Sequence, residues 1–350
     1  MSSNALVLEG KRVLVTGGTG SLGKAVVRRI LTGEMGVPAR IEVFSRDEGK
    51  HHQMRLDFAH MAAATDDIAY HNFERLLVFR IGDVRDYAAV KRAVHETDIV
   101  IHAAALKQVP SCEYFPYDAV RTNVEGAQNV VWAIREPGMT VERAVAISTD
   151  KACKPINVMG MSKAIQERIF VEGNLGQDST SLFNVRYGNV VASRGSVVPL
   201  FEAQIANGGP VTITTTDMTR FLITLDGAVD TVFDALRTAR PGETYVPQLP
   251  AVKVTELAAV MIGDRPIETV VTGIRPGEKV HEIMVSDEEA FRTIERGDYY
   301  VIEPMLPEVA TVEVDKPALD GEYSSAHSVV PPERIPDILK AAGRFQDVVV

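Results

Sequence analysis

Val13-Leu-Val-Thr-Gly17-Gly18-Thr19-Gly20-Ser21-Leu22-Gly23 decides the fold. It opens on a short run, Arg12 to Thr16, rich in β-branched side chains, of the kind that forms a strand buried inside a parallel sheet. The spacing Gly17-x-x-Gly20-x-x-Gly23 permits a tight turn and a close approach of backbone to a pyrophosphate. A helix predicted over Ser21 to Leu31 would then present its N-terminal N–H groups to the phosphate. Gly17, Thr19, Gly20, Ser21, Leu22 and Gly23 are therefore expected to bind a dinucleotide.

The same alternation continues outward from this unit. Ile41 to Phe44, Leu76 to Ile81, Asp98 to His102, Arg143 to Ser148 and Ser181 to Tyr187 read as further strands. Helical patterns lie between them, as over Ala119 to Ile134 and Gly160 to Gly173. This predicts an α/β fold, a Rossmann-type doubly wound parallel sheet with helices on both faces, over residues 1–188. Beyond Gly188 the rhythm loosens. Short strands (Val211 to Thr214, Phe221 to Thr224) mix with helices (Asp226 to Thr238, Thr255 to Ile262), and Gly-Pro pairs mark turns. Residues 189–350 read as a smaller, mixed α/β substrate-binding lobe, with the chain crossing between lobes. The tail after Glu303 is expected to wrap the surface.

The ends of the later strands refine the cofactor. Where the second strand ends, a free ribose 2′-OH would usually meet an acid, but this chain has Ser45-Arg46. A hydroxyl and a guanidinium suit a 2′-phosphate, which favours NADP over NAD. The alternative is a solvated Arg46 with Asp47 on the ribose. Asp83 and Val84, ending the third strand, are placed for an adenine contact. Ala103, Ala104 and Ala105, after His102, put small side chains beside the cofactor.

The 350 residues carry a formal charge of −10, with 45% hydrophobic and 24% charged residues. That is a globular composition. An acidic chain is a poor partner for nucleic acid, although a local pocket can still be positive. Two cysteines, Cys112 and Cys153, make no disulfide framework and fit a reducing cytoplasm. Residues Met1 to Gly10 lack the pattern of a signal peptide, and no apolar run is long enough to span a membrane. The eight histidines show no metal-ligand spacing, so no metal is expected; His51-His52 opens a polar helix.

Longer strings narrow the reading. The glycine turn, the Asp83 turn, His102-Ala-Ala-Ala105 and Met159-x-x-x-Lys163 resemble the extended short-chain dehydrogenase/reductase superfamily. Phe44-Ser-Arg-Asp-Glu48, Ala105-Leu-Lys-Gln-Val-Pro110, Ser148-Thr-Asp-Lys-Ala152, Arg186-Tyr-Gly-Asn-Val-Val191, Ser193-Arg-Gly-Ser-Val-Val-Pro199, Met218-Thr-Arg-Phe221 and Gly273-Ile-Arg-Pro-Gly-Glu-Lys279 are similar to UDP-N-acetylglucosamine 4,6-dehydratases of the polysaccharide-biosynthesis group. The likeness covers roughly residues 10 to 300.

The resemblance implies a lyase that recycles NADP. Hydride leaves sugar C4, the 4-ketone acidifies C5–H, water is lost from C6, and hydride returns to C6. Lys151 would be the C5 base, if burial and nearby Lys163 depress its pKa, and Asp150 the acid for the departing hydroxyl. Lys163 would hold the nicotinamide ribose. Met159 stands where relatives carry a tyrosine that helps remove the 4-OH proton, and a thioether cannot exchange one. Asp150, Thr149 or a water must then do so. Arg194 and Arg220 would bind the diphosphate, Asn189 and Lys107 would contact pyrophosphate or sugar, Ser196 would contact the substrate, and Arg275 with Glu278 would hold the nucleoside. The resemblance also implies a homo-oligomer. The alternatives are a 4-epimerase or 4-keto reductase, which would want the tyrosine, and a non-catalytic nucleotide-binding protein on the same fold.

Overall fold

The computed structural model describes residues 6–62, 67–177, 179–191, 196–310 and 314–344, without the side chains of 60–62 and 67–71. The first strand, β1 (Arg12–Thr16), shows why the sheet is doubly covered. Val13 and Val15 point into one apolar layer, which includes Ile30 and Phe233. Leu14, between them, points into the opposite layer with Val100, Val130 and Phe170. A strand apolar on both faces can only sit centrally in a three-layer sandwich. β2 (Arg40–Ser45), β3 (Leu77–Ile81), β4 (Ile99–His102), β5 (Arg143–Ile147) and β6 (Ser181–Val185) join it in parallel, in the order 3-2-1-4-5-6 read outward from β3. The order reverses at β1, so the crevice for a ligand opens at the carboxyl ends of β1 and β4.

Residues 189–350 also contribute to this sheet. Thr244–Pro247 pairs in parallel with β6, and the antiparallel hairpin Thr293–Arg296/Tyr299–Ile302 completes nine strands. The helix Leu225–Thr238 packs its buried face into the β1 layer. The rest of the second half has its own core, with Phe201, Val211, Leu222, Val252 and Leu257. Between the two cores runs the cavity described below.

Two expectations are corrected. The tail after Glu303 does more than wrap the surface. Tyr323–Ser324 pairs with Ile283–Val285, and helix Ile335–Ala341 buries Ile335 and Leu339 in the second core. Apolar spacing within that short helix gives it a face that water disfavours. The helix expected over Ala119 to Ile134 is broken by a π-helical turn, Val120–Glu125, before it resumes at Gly126–Ile134. Asn123, buried in that turn, accepts from Leu106 N and donates to Leu106 O and Ser162 Oγ, at 2.8, 2.9 and 2.9 Å. It ties the loop after β4 to the helix Val158–Glu172. Among the described residues, no helix is long and apolar enough to cross a membrane.

Candidate active site

A cavity of about 1000 Å³ lies along the carboxyl edge of the sheet. The glycine turn forms one end. Gly17 has φ +67°, and a Cβ there would lie 2.6 Å from Ala104 N, so the two loops can approach only through glycine. Helix Ser21–Leu31 begins at Gly20 with no side-chain cap. Its first N–H groups are therefore left for a ligand, and a phosphate suits them. All the expected cofactor residues line this cavity: the turn from Gly17 through Thr19, Gly20, Ser21 and Leu22 to Gly23, then Ser45 and Arg46, Asp83 and Val84, and Ala103 to Ala105.

Beyond β2, the Ser45 hydroxyl lies 2.9 Å from Thr19 Oγ1 and 2.8 Å from His51 Nε2. The Arg46 side chain is 57% exposed, with Nη1 4.0 Å from Asp83 Oδ2. Burial pushes the Asp83 carboxyl up, but hydrogen bonds from Arg85 outweigh it and hold the group below its usual range. Asp47, the alternative ribose ligand, also lines the cavity. It accepts from Lys50 N at 3.0 Å and pairs with Lys50 Nζ at 3.2 Å.

The reactive end forms where β5 stops. Thr149 caps a 3₁₀ turn, Asp150–Ala152, and its Oγ1 donates to Asp150 Oδ1 at 2.7 Å. Lys151 Nζ reaches Asp150 Oδ1 at 3.0 Å, Glu282 Oε1 at 3.2 Å and Asn189 Oδ1 at 3.2 Å. Thr149, Lys151, Met159, Lys163 and Asn189 line the cavity; Asp150, only 1% exposed, stands just behind them. Burial alone would pull the Lys151 ammonium down, yet the carboxylates of Asp150 and Glu282 carry it above the ordinary lysine range. This corrects the expected depression: two anions dominate its surroundings, and Lys163 does not. Lys163 behaves oppositely. Its Nζ donates to Ile147 O at 2.5 Å and Gln166 Oε1 at 2.6 Å, and burial lowers it to about 7 against the pull of Glu167.

Met159 is buried among Cys112, Ala119 and Leu106. Its helix is capped by Asn157, whose Oδ1 accepts from Gly160 N and whose Nδ2 donates to Gly277 O, both at 2.8 Å. That one side chain joins the helix Val158–Glu172 to the Arg275–Lys279 loop. Below the site, Arg186 forks between Glu167 and Glu289 at 2.6–3.0 Å and donates to Met284 O. Glu167 also accepts from Ser148 Oγ at 2.5 Å, so one buried network fixes the ends of β5 and β6. Burial would raise the Glu289 carboxyl, but Arg186 holds it down at about 2.

Of the expected substrate residues, Lys107, Asn189, Ser196, Arg220, Arg275 and Glu278 line the cavity. Arg194 lies outside the described residues. Arg220 differs from the expectation of a free guanidinium fork. Nη1 donates to Thr219 O and Val280 O, Nη2 donates to Lys279 O, and Nε lies 3.8 Å from Glu282. Arg275 is exposed, 3.8 Å from Glu278, whose Oε2 is buried without a partner. Glu282 was not anticipated. It follows the Gly273-to-Lys279 string, directly before the apolar run Ile283-Met-Val285, and only its burial separates it from a solvated surface acid. An acid at the mouth of an apolar strand was the available signal.

A sheet that reverses at β1 beside a glycine turn, with an acid–lysine pair just past the end of β5, defines a dinucleotide-binding enzyme of the short-chain dehydrogenase/reductase class. The chain belongs to the family described as polysaccharide biosynthesis protein, whose profile matches residues 13–304. A Campylobacter jejuni relative named UDP-N-acetylglucosamine 4,6-dehydratase (inverting) is 40% identical, over 86% of this chain and 85% of its own. A Rickettsia conorii protein named UDP-glucose 4-epimerase is 43% identical, over 83% of this chain and 82% of its own. Among solved structures, that of Pen from Bacillus thuringiensis matches with TM-score 0.85 and 32% identity, covering 97% of this chain and 99% of that one.

Proposed function

We propose that the protein is a nucleotide-sugar 4,6-dehydratase, a hydro-lyase. It would convert UDP-N-acetylglucosamine to a UDP-2-acetamido-2,6-dideoxy-4-hexulose for surface-glycan or glycosylated-metabolite synthesis. The observation that carries this is Lys151 on the cavity wall with Asp150 paired directly behind it, beside a methionine where a reductase or epimerase needs a proton-exchanging group. The name of the Campylobacter relative supports it.

A bound nicotinamide would supply the hydride acceptor and donor for the C4-to-C6 transfer. Gly17 to Gly23 and the open helix end would hold its pyrophosphate, Lys163 its ribose, and Ser45 with Arg46 a 2′-phosphate, so NADP is the cofactor we favour. The resting pair is an ammonium at Lys151 against a carboxylate at Asp150. Transfer of one proton across their 3.0 Å contact gives an amine and a carboxylic acid. The amine then removes the C5 proton, the acid gives its own to the C6 oxygen, and water departs. As hydride returns to C6, Lys151 would give its proton back to C5, and the proton released from the 4-OH, passed on through water, would restore the ammonium for the next turnover. Thr149, which faces the cavity and donates to Asp150, would hydrogen-bond the 4-OH. Asn189, Lys107, Ser196, Arg220 and the unplaced Arg194 would contact diphosphate or sugar, and Arg275 with Glu278 the nucleoside.

The test is incubation with UDP-N-acetylglucosamine and no added reductant. Loss of one water from the product mass is expected. An unchanged mass with a new sugar configuration would favour a 4-epimerase, the reading that the Rickettsia name supports and Met159 opposes. We also propose self-association in the cytoplasm. The exposed Met161 and Ile165 on one helix support the first, and the buried, unpaired Cys112 and Cys153 the second. Sedimentation and fractionation test them.

A further inference from the structure

The functional reading leaves one polar group unused beside the cofactor end of the cavity. His51, 5% exposed, lies on the first turns of helix Glu48–Ala62 with its ring edge-on to Phe79 at 5.5 Å. Its Nδ1 is buried without a partner. Burying an unpaired ring nitrogen is costly, and an apolar ring would fill the same space without that cost. What the imidazole adds is Nε2, which lies 3.0 Å from Ser45 O and 2.8 Å from Ser45 Oγ.

A carbonyl oxygen can only accept, so the short contact to Ser45 O places the ring proton on Nε2. Ser45 Oγ then faces an N–H and cannot donate to His51. Its hydrogen is left for Thr19 Oγ1, 2.9 Å away, or for the cavity that Ser45 lines. If Thr19 donates in turn to Ser45, both acceptor positions of the serine are taken and only its O–H remains. A ribose 2′-OH could bond to such a group in either direction, and gains little from one made donor-only. A 2′-phosphate has only acceptor oxygens and gains a charge-assisted bond.

We propose that His51 is a specificity-determining positioning residue: by occupying the acceptor side of Ser45, it turns that hydroxyl into a dedicated donor for the 2′-phosphate of NADP. The proposal rests on the NADP reading given above. It also separates two contributions: Arg46 supplies exposed charge, and the Thr19–Ser45–His51 chain supplies a fixed direction.

The experiment measures NADP⁺ and NAD⁺ affinities by calorimetry on the full chain, with thermal melting to confirm folding. Four proteins are compared: wild type, His51→Phe, His51→Gln and Ser45→Ala, with the double variant added. His51→Phe keeps a ring against Phe79 and removes the donor; NADP⁺ affinity should fall about tenfold, and NAD⁺ affinity about twofold or less. His51→Gln, which restores an N–H donor, should recover most of the preference. In the Ser45→Ala background, His51→Phe should have no further effect on NADP⁺, because it acts only through that hydroxyl. If His51→Phe weakens both cofactors equally, or neither, the proposal is overturned. If His51→Phe does not fold, His51→Met takes its place, with the same outcomes deciding. A wild-type protein with no preference for NADP⁺ overturns the cofactor reading itself, and the proposal with it.

Discussion

Lys151 and Lys163 line one cavity, yet their surroundings push their ammonium groups in opposite directions. Lys151 has two carboxylates in contact, which hold its resting ammonium; Lys163 meets carbonyl oxygens, and burial pushes it down to about 7. In the proposed reaction the first lysine exchanges a proton with Asp150. Lys151→Met should lower turnover by about 10²–10⁴-fold while dinucleotide affinity, measured by calorimetry, stays within about twofold. The second makes stability depend on pH. With a folded value near 7 and an ordinary one of 10.5, the unfolded chain binds the extra proton across that interval. Stability from this group therefore rises with pH above about 7, by at most ~1.4 kcal/mol per pH unit. Below it, the full cost of burying the charge is present. Urea unfolding of wild type and Lys163→Met at several pH values should show the difference moving toward wild type as pH rises; a constant difference would contradict it. At this scale the motif residues were legible because the strings quoted above carry them. Glu282 was not, because an acid's partners come from tertiary packing and leave no mark on its neighbours in sequence. The same gap misjudged Lys151: its two anions lie at positions 150 and 282, and only one was in view.

Elements hold these groups through close approach. A Cβ on Gly160 would collide with the Lys151 carbonyl oxygen, so the helix Val158–Glu172 can rest on the Asp150–Ala152 turn only because that position is glycine. Gly160→Ala should separate the two, with a loss of about 1–3 kcal/mol in denaturant unfolding and a larger proportional loss of turnover. The Arg186 network is the second constraint. Arg186→Met leaves Glu167 buried without its cation and Glu289 with only Arg292, 3.7 Å away, and should destabilise by about 3–5 kcal/mol. Strands β1, β2, β4, β5 and β6 were readable as apolar runs because both their faces are covered; β3, at the sheet edge and partly exposed, was readable from its apolar composition alone. The hairpin Thr293–Arg296/Tyr299–Ile302 was not, since Glu295, Arg296 and two tyrosines mix polar and apolar character on an edge. Its place in the large sheet is set by Thr244–Pro247, a pairing that local sequence does not encode.

Across the whole molecule, the tail reaches Lys151 through one serine and Glu282. Ser325, fully buried just past the strand Tyr323–Ser324, donates its backbone N–H to Glu282 O at 2.8 Å. Its Oγ accepts from Glu282 N at 2.9 Å and lies 2.6 Å from Thr219 Oγ1. Glu282 is thus clamped on both backbone groups, and its carboxylate meets Lys151. Removing the hydroxyl leaves the Glu282 N–H buried and unpaired while the tail's other anchors, Ile335 and Leu339, stay in their core. Ser325→Ala should therefore cost about 1–3 kcal/mol in unfolding measurements, because an orphaned buried donor loses its hydration as well as its bond. It should also lower turnover, since Glu282 can shift away from Lys151. Dinucleotide affinity should not change, because the glycine turn belongs to the opposite end of the cavity. Equal losses of turnover and cofactor binding would mean that the tail acts on the fold as a whole, and that Ser325 does not support the lysine in particular.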